Sequence, residues 1–455
     1  MNMNSKLEEF FKKRPDMREK YEYPGTFKGL TEDIEKSMTA PRKGGDFFCK
    51  RIIKEVRRIL LQEVSLGRLE DQLLQYPVIS TADHMGLLNY KLLYNSNILF
   101  SEVIKKLDLP YMVVLATGNI PLNNMSHPRG FYFKKEKVNF FKSKGSSVPV
   151  FLFKNKLSAD RKQGIESVIF SYDKKSITVE ELKFFEFLFF ECLEIEKASR
   201  DYETFSDQVT FINHKLWKYY FDESIRESLP DVIYLQSNEI INGAIIDELK
   251  QRDSLISMIL LEPDIRKVFL ENFNEIQGCW SEAYGSHFFW GISEDNRWIR
   301  LCLDNESNSL VGDDFFLELD REKIIDNLNS KKILPTTFLV FLIISFLEGQ
   351  LPLGGFNQLE YLPQMQTAHI KSLHEIGMND LADQFASRVT DAFICGMFPF
   401  DFDSGIDLIW HYNSHAGKFN GNLDRGLTQQ DLDKILNMKV RDMIRAAIEV
   451  MSKNI

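Results

Sequence analysis

The sequence predicts an α/β or α+β fold, with a central mixed sheet and extensive surrounding helices. Three observations predict it. Short apolar runs at 77–82, 111–116 and 231–235 have the length and β-branched content of buried strands, and each ends in small polar residues. The first and third lead into longer stretches with apolar residues at helical spacing, the pattern of strands that need helices as cover. The stretches 158–221 and 357–452 then carry mostly helical periodicity.

The 455 residues are enough for roughly two or three domains by length alone. No internal repeat, low-complexity tract or long linker divides them. One composite globule is expected: an N-terminal arm with helices (1–75), a strand-rich core unit (76–153), and a helical and mixed region (154–455) that completes it. A net charge of −10 argues against a general nucleic-acid binder, which needs a basic face to displace counterions. The five cysteines form no CxxC pair and are odd in number, against a disulfide framework or a thiolate zinc site. The charged start lacks a signal-peptide core, and the most apolar run, 338–347, is too short to span a bilayer. These features predict a soluble cytoplasmic protein without membrane association.

Taken in order, residues 1–45 are polar, Lys-rich and broken by Pro and Gly. An amphipathic helix follows, with Phe48, Ile52, Ile53, Val56, Ile59 and Leu60 on one side. After the first strand, a helix is expected from Gly86 to Leu107, and after the second, a long polar loop over 117–130. Phe131–Phe133 and Val148–Phe153 read as further strands, joined by a Lys-rich connection from Lys134 to Lys144 that suits an exposed hairpin better than a nucleic-acid groove. Thr178 with Glu181, and Thr428 with Asp431, have capping-box spacing. Ser293–Arg297 is a hairpin signal, Gly349–Phe356 reads as a loop, and helices are expected near 254–275, 321–330, 336–348, 357–376, 379–396 and 429–452.

The strongest site candidate is the strand-to-helix junction Thr81-Ala82-Asp83-His84, because ligands in such sheets sit at the carboxyl ends of strands. Asp83 and His84 could act as an acid/base pair or hold a divalent metal. The competing reading makes Asp83 a helix cap. In the 117–130 loop, Asn119, Asn123 and Asn124 are candidates to orient a polar substrate, and Arg129 to hold an anionic group. His411 and His415 are further candidate metal ligands, although the HExxH glutamate is absent. Gly354-Gly355 allows close backbone approach, without any phosphate-loop ending.

No GxGxxG, GxSxG or kinase signature is present. The expectation is therefore general: an enzyme acting on a small polar or anionic metabolite, with a divalent metal as the candidate cofactor. Two alternatives stay open, a non-catalytic binding or scaffold protein with a helical partner surface and a metal-free acyl or nucleotidyl transferase. Substrate, reaction and oligomeric state are not encoded in any recognisable motif.

Overall fold

The computed structural model describes residues 3–38, 46–141, 147–154 and 177–451. The fold is mixed α+β, built on a four-stranded parallel sheet with several smaller sheets among many helices. Its strands are Val78–Ser80, Tyr111–Ala116, Asp231–Gln236 and Leu351–Leu353. Across the sheet the last strand lies first, followed by the other three in chain order. Ile79 pairs with Pro352, Ser80 with Val114, and Val113 with Ile233. Every residue of Tyr111–Ala116 is buried, which explains its unbroken apolar run: a parallel strand covered on both faces has no solvent side to make polar.

The strand Leu351–Leu353 falls where the sequence reads as a loop. It is three residues long with a central proline, and it survives because it lies at the sheet's edge, where one side needs no ladder partner. The other expected strands belong to small sheets of their own. Gly130–Phe133 pairs with Glu136–Asn139 in a hairpin, and Phe289–Ile292 pairs with Trp298–Ile299 across the expected 293–297 turn. Val150–Leu152 is a 3-10 turn rather than a strand, bonded through Val150 N to the Ile120 carbonyl and through Phe151 N to that of Gly118. Both expected capping boxes form. Residues 155–176, Lys142 and Lys144 lie outside the described residues.

The first crossover helix begins at Lys91, not near Gly86. Residues 81–90 are irregular and mostly buried, so their backbone groups need partners from elsewhere. Helix Phe205–Lys218 supplies several of them. Asn213 accepts from Leu88 N at 2.8 Å and donates to the Gly86 carbonyl at 2.9 Å, while the Tyr220 hydroxyl donates to the Leu88 carbonyl. Asn89 ties the same segment to the C-terminal region, accepting from Ile406 N at 2.8 Å and donating to the Tyr132 carbonyl at 3.2 Å. Asn213 and Tyr220 thus supply backbone hydrogen bonds that a helix would have made internally, while Asn89 anchors the segment to its neighbours.

All five cysteines are free thiols. Among the described residues no helix is long and apolar enough to cross a membrane. The most apolar run forms helix Thr337–Phe341, which continues as a π-helix over Leu342–Leu347.

On helix Phe356–Glu375, His369 is fully buried among aromatic rings, with Phe273 at 4.5 Å and Phe346 at 4.7 Å between centroids. Neither ring nitrogen has a hydrogen-bond partner among the described residues. Burial pushes its pKa down to about 3, so the ring is neutral. An unpaired buried polar group costs about 1–3 kcal/mol. His369→Phe, which keeps the ring's shape and removes that cost, should raise the thermal midpoint at neutral pH; a fall would show that an imidazole nitrogen is satisfied after all.

Candidate functional site

A cavity of about 170 Å³ opens at the carboxyl ends of the parallel strands. Four segments converge on it because of the strand order. Thr81 comes from the end of the first strand, and Thr117 and Asn119 follow the second. Ser237 and Asn238 begin the helix after the third. Tyr361 stands on the helix after the fourth. The apolar part of the lining comes largely from the 337–347 helix, through Val340, Phe341 and Ile344, with Thr337 of the same helix adding a hydroxyl. The lining thus combines hydroxyls and carboxamides with hydrocarbon, and among the described residues no Lys, Arg, Asp, Glu or His belongs to it.

Local hydrogen bonds set this geometry. Thr81 N continues the first strand's ladder by donating to the Leu353 carbonyl at 3.2 Å, and its hydroxyl donates to Gln358 Oε1 at 2.7 Å. Asn238 Oδ1 accepts from Gly118 N at 3.0 Å, and Asn119 Oδ1 accepts from Trp298 Nε1 at 2.5 Å. Gly118 has to be a glycine for this approach: a Cβ there would stand 2.4 Å from Gln236 Nε2 and 2.9 Å from Asn238 Oδ1.

Asp83 and His84, adjacent in extended backbone, point to different surroundings. Asp83 is sealed in the core, and burial pushes its carboxyl up to about 7. Oδ2 accepts from Asn97 Nδ2 at 2.8 Å. Tyr234 is the other side chain against the carboxyl, but its hydroxyl proton goes to the His84 carbonyl at 2.7 Å, and Asp83 Oδ1 is left without a donor. Asp83 is thus neither a helix cap nor open to a ligand. With the helix starting at Lys91, there are no helix N–H groups for it to cap.

His84 bridges the loops that leave the first two strands. Its backbone pairs with Thr117, and its Nδ1 lies 3.0 Å from Asn124 Oδ1 and 3.2 Å from Ser126 Oγ. Asn124 Oδ1 also receives the Ser126 backbone N–H at 3.0 Å and hydroxyl at 2.9 Å, so it acts as an acceptor throughout. The proton therefore sits on His84 Nδ1, and Nε2 carries the lone pair. Burial lowers the pKa of His84, with the bond to Asn124 opposing it, which favours a neutral base. His84 does not itself line the cavity; it pairs with Thr117, which does.

Of the four candidate substrate-binding residues, only Asn119 lines the cavity. Asn124 holds His84 instead, and Asn123 is exposed. Arg129 is half-buried with Nε unpaired, and its carbonyl accepts from Phe140 N and Phe141 N at the hairpin. His411 lies in the last turn of helix Gly405–Asn413 and His415 in the following strand; both are exposed in an open surface groove with Lys135 and Trp410. Asp83, His84, His411 and His415 therefore do not form the expected ligand set. Among the described residues no three His, Cys, Asp or Glu side chains come close enough together to hold a metal.

Thr117, Ser237, Asn238, Thr337 and Tyr361 were not among the expected site residues. The Gln236–Glu239 turn does repeat the strand, polar turn and helix pattern of 77–90, and that repetition was the available signal for Ser237 and Asn238. Compared with known proteins, the chain matches no family model, no curated protein and no solved structure.

Proposed function

We propose that the chain is a cytoplasmic enzyme of small-molecule metabolism that takes its substrate into the cavity at the carboxyl edge of the sheet. The observation that carries this reading is the cavity: a pocket lined by both polar and apolar side chains, where four strand ends meet, is the usual place for a small ligand in a sheet of this kind. Its volume is close to the roughly 150 Å³ of a cavity known to admit benzene, which limits a fully enclosed substrate to a handful of non-hydrogen atoms. The five free thiols support a reducing compartment.

His84, whose backbone pairs with the cavity-lining Thr117, is the candidate base beside this site and would act on a substrate that reaches past the lining. Asn124 and Ser126 hold its ring and direct the Nε2 lone pair away from them, which is the arrangement of an oriented general base. A ligand found by thermal-shift screening of uncharged and monoanionic metabolites should lose its effect in Val340→Phe, which fills the cavity. His84→Gln should still bind that ligand but turn it over about 10²–10⁴-fold more slowly, the usual contribution of a general base. Unchanged turnover in His84→Gln would remove His84 from the mechanism, and binding without turnover in the wild type would make the chain a non-catalytic binder.

A further inference from the structure

We infer that the cavity selects a small neutral molecule with a hydrogen-bond acceptor at one end and a compact hydrocarbon body at the other, an amide or ketone rather than a carboxylate or phosphate. This rests on the cavity being the binding site and specifies what enters it.

Two donors to the polar lining residues have fixed orientation. Trp298 Nε1 and Gly118 N can only donate, and they occupy Asn119 Oδ1 and Asn238 Oδ1. Each carboxamide is thereby locked with its nitrogen as the free end. Among the described residues neither Nδ2 group has a partner, and the hydroxyls of Ser237, Thr337 and Tyr361 have none either. A ligand that satisfies two fixed NH₂ groups must bring an acceptor. The lining hydroxyls can donate to the same atom or accept from an amide nitrogen.

The charge of that acceptor follows from what is missing from the lining. Among the described residues no cationic side chain lines the cavity, so a carboxylate entering it would give up its hydration without a counter-ion from them, which costs several kcal/mol. The start of helix Ser237–Leu249 offers roughly half a positive charge, enough to favour the negative end of a carbonyl dipole beside it but not to neutralise an ion. Elsewhere in the lining, Leu115, Ile241, Val340, Phe341 and Ile344 present only hydrocarbon. A polar group placed there would go unpaired, so the far end of the ligand is apolar.

Three probes of six non-hydrogen atoms test the inference: isobutyramide, isobutyrate at neutral pH, and benzene, each titrated by NMR into the wild type, Asn238→Asp and Val340→Phe. Asn238→Asp keeps an acceptor for Gly118 N and exchanges the NH₂ donor for a carboxylate oxygen; Asn119→Asp does the same toward Trp298 and serves as a second variant, and benzene controls for the added charge. The wild type should bind isobutyramide at least 10-fold more tightly than isobutyrate. Each Asn→Asp change should weaken isobutyramide at least 10-fold while leaving benzene within about twofold, and Val340→Phe should abolish binding of all three. Isobutyrate binding as well as isobutyramide, or benzene binding alone, overturns the neutral-acceptor assignment and leaves the cavity as a site. Isobutyramide unaffected by both Asn→Asp changes removes the two carboxamides from recognition and overturns it as well. No probe binding to the wild type, or binding unchanged in Val340→Phe, overturns the cavity reading itself.

Discussion

Asp83→Asn should become more stable relative to the wild type as the pH rises from about 4 to about 7, with a total gain approaching roughly 4 kcal/mol at and above neutrality. The expectation follows from a carboxyl held at about 7 in the fold against an ordinary value near 3.8. The unfolded chain releases this proton above pH ~4, while the folded chain keeps it until near neutrality. The folded state thus binds more protons across that window. The stabilising contribution is complete below the unfolded pKa and is lost as the pH climbs through the folded one.

The surroundings favour the neutral acid for a geometric reason as well. Among the described residues the carboxyl receives one hydrogen bond, from Asn97 to Oδ2, and Oδ1 has no donor, so an ionised Asp83 would be a buried charge with little to stabilise it. An amide at position 83 stays uncharged at any pH. The difference between variant and wild type is the quantity to measure, by denaturant unfolding at several pH values, because His369, His127 and His287 are all depressed by burial and oppose Asp83 over much of this range. If the two stability curves run parallel from pH ~4 to ~8, Asp83 is not carrying a proton in the fold.

Asn213→Leu should cost about 2–6 kcal/mol, since it leaves Leu88 N and the Gly86 carbonyl buried without partners at about 1–3 kcal/mol each. Leucine is close in volume, so packing loss is a small part of the effect. Because those two groups hold the irregular segment that carries His84, the imidazole should titrate closer to its ordinary value in the variant, as water gains access to a ring now shielded by burial. A loss under about 1 kcal/mol would show that the segment finds its order elsewhere, most directly through Asn89 and Tyr220.

Three of the four core strands, both capping boxes and the 293–297 hairpin were legible in the sequence because each is signalled by its own residues. Leu351-Pro352-Leu353 was not, since a three-residue run around a proline carries no periodicity and becomes a strand only because Val78–Ser80 offers it an edge. The candidate site was half legible for a related reason. Asn119 and the Thr81 junction could be picked out as strand exits, and the meeting of His84 with the 117–130 loop was anticipated from their shared unit. Which other exits face them depends on lateral strand order, and no local pattern encodes that order. Thr337 and Val340 were read as part of a buried apolar helix, which is true of the segment but does not reveal that one side of it walls a cavity. Asp83 misled because an aspartate after a strand is so often a cap; Asn213 and Tyr220, whose side chains bond this segment's backbone in place of a helix, lie more than a hundred positions away.

The position of Leu351–Leu353 beside Val78–Ser80 also bears on how the chain is made. Ser80 and Leu353 are partners separated by roughly 270 residues, and at about 5–20 residues per second a ribosome needs on the order of 15–50 s to synthesise that interval. Throughout it, one flank of the first strand is an open, apolar hydrogen-bonding edge, able to pair with whatever strand comes within reach. The earlier three strands can align as they emerge, but the last must find its slot from a distance, a slow and aggregation-exposed closure. Nascent chains halted before Leu351 should therefore engage chaperones longer than chains released after helix Phe356–Glu375, whose Gln358 reaches back to Thr81 and fastens the closed edge.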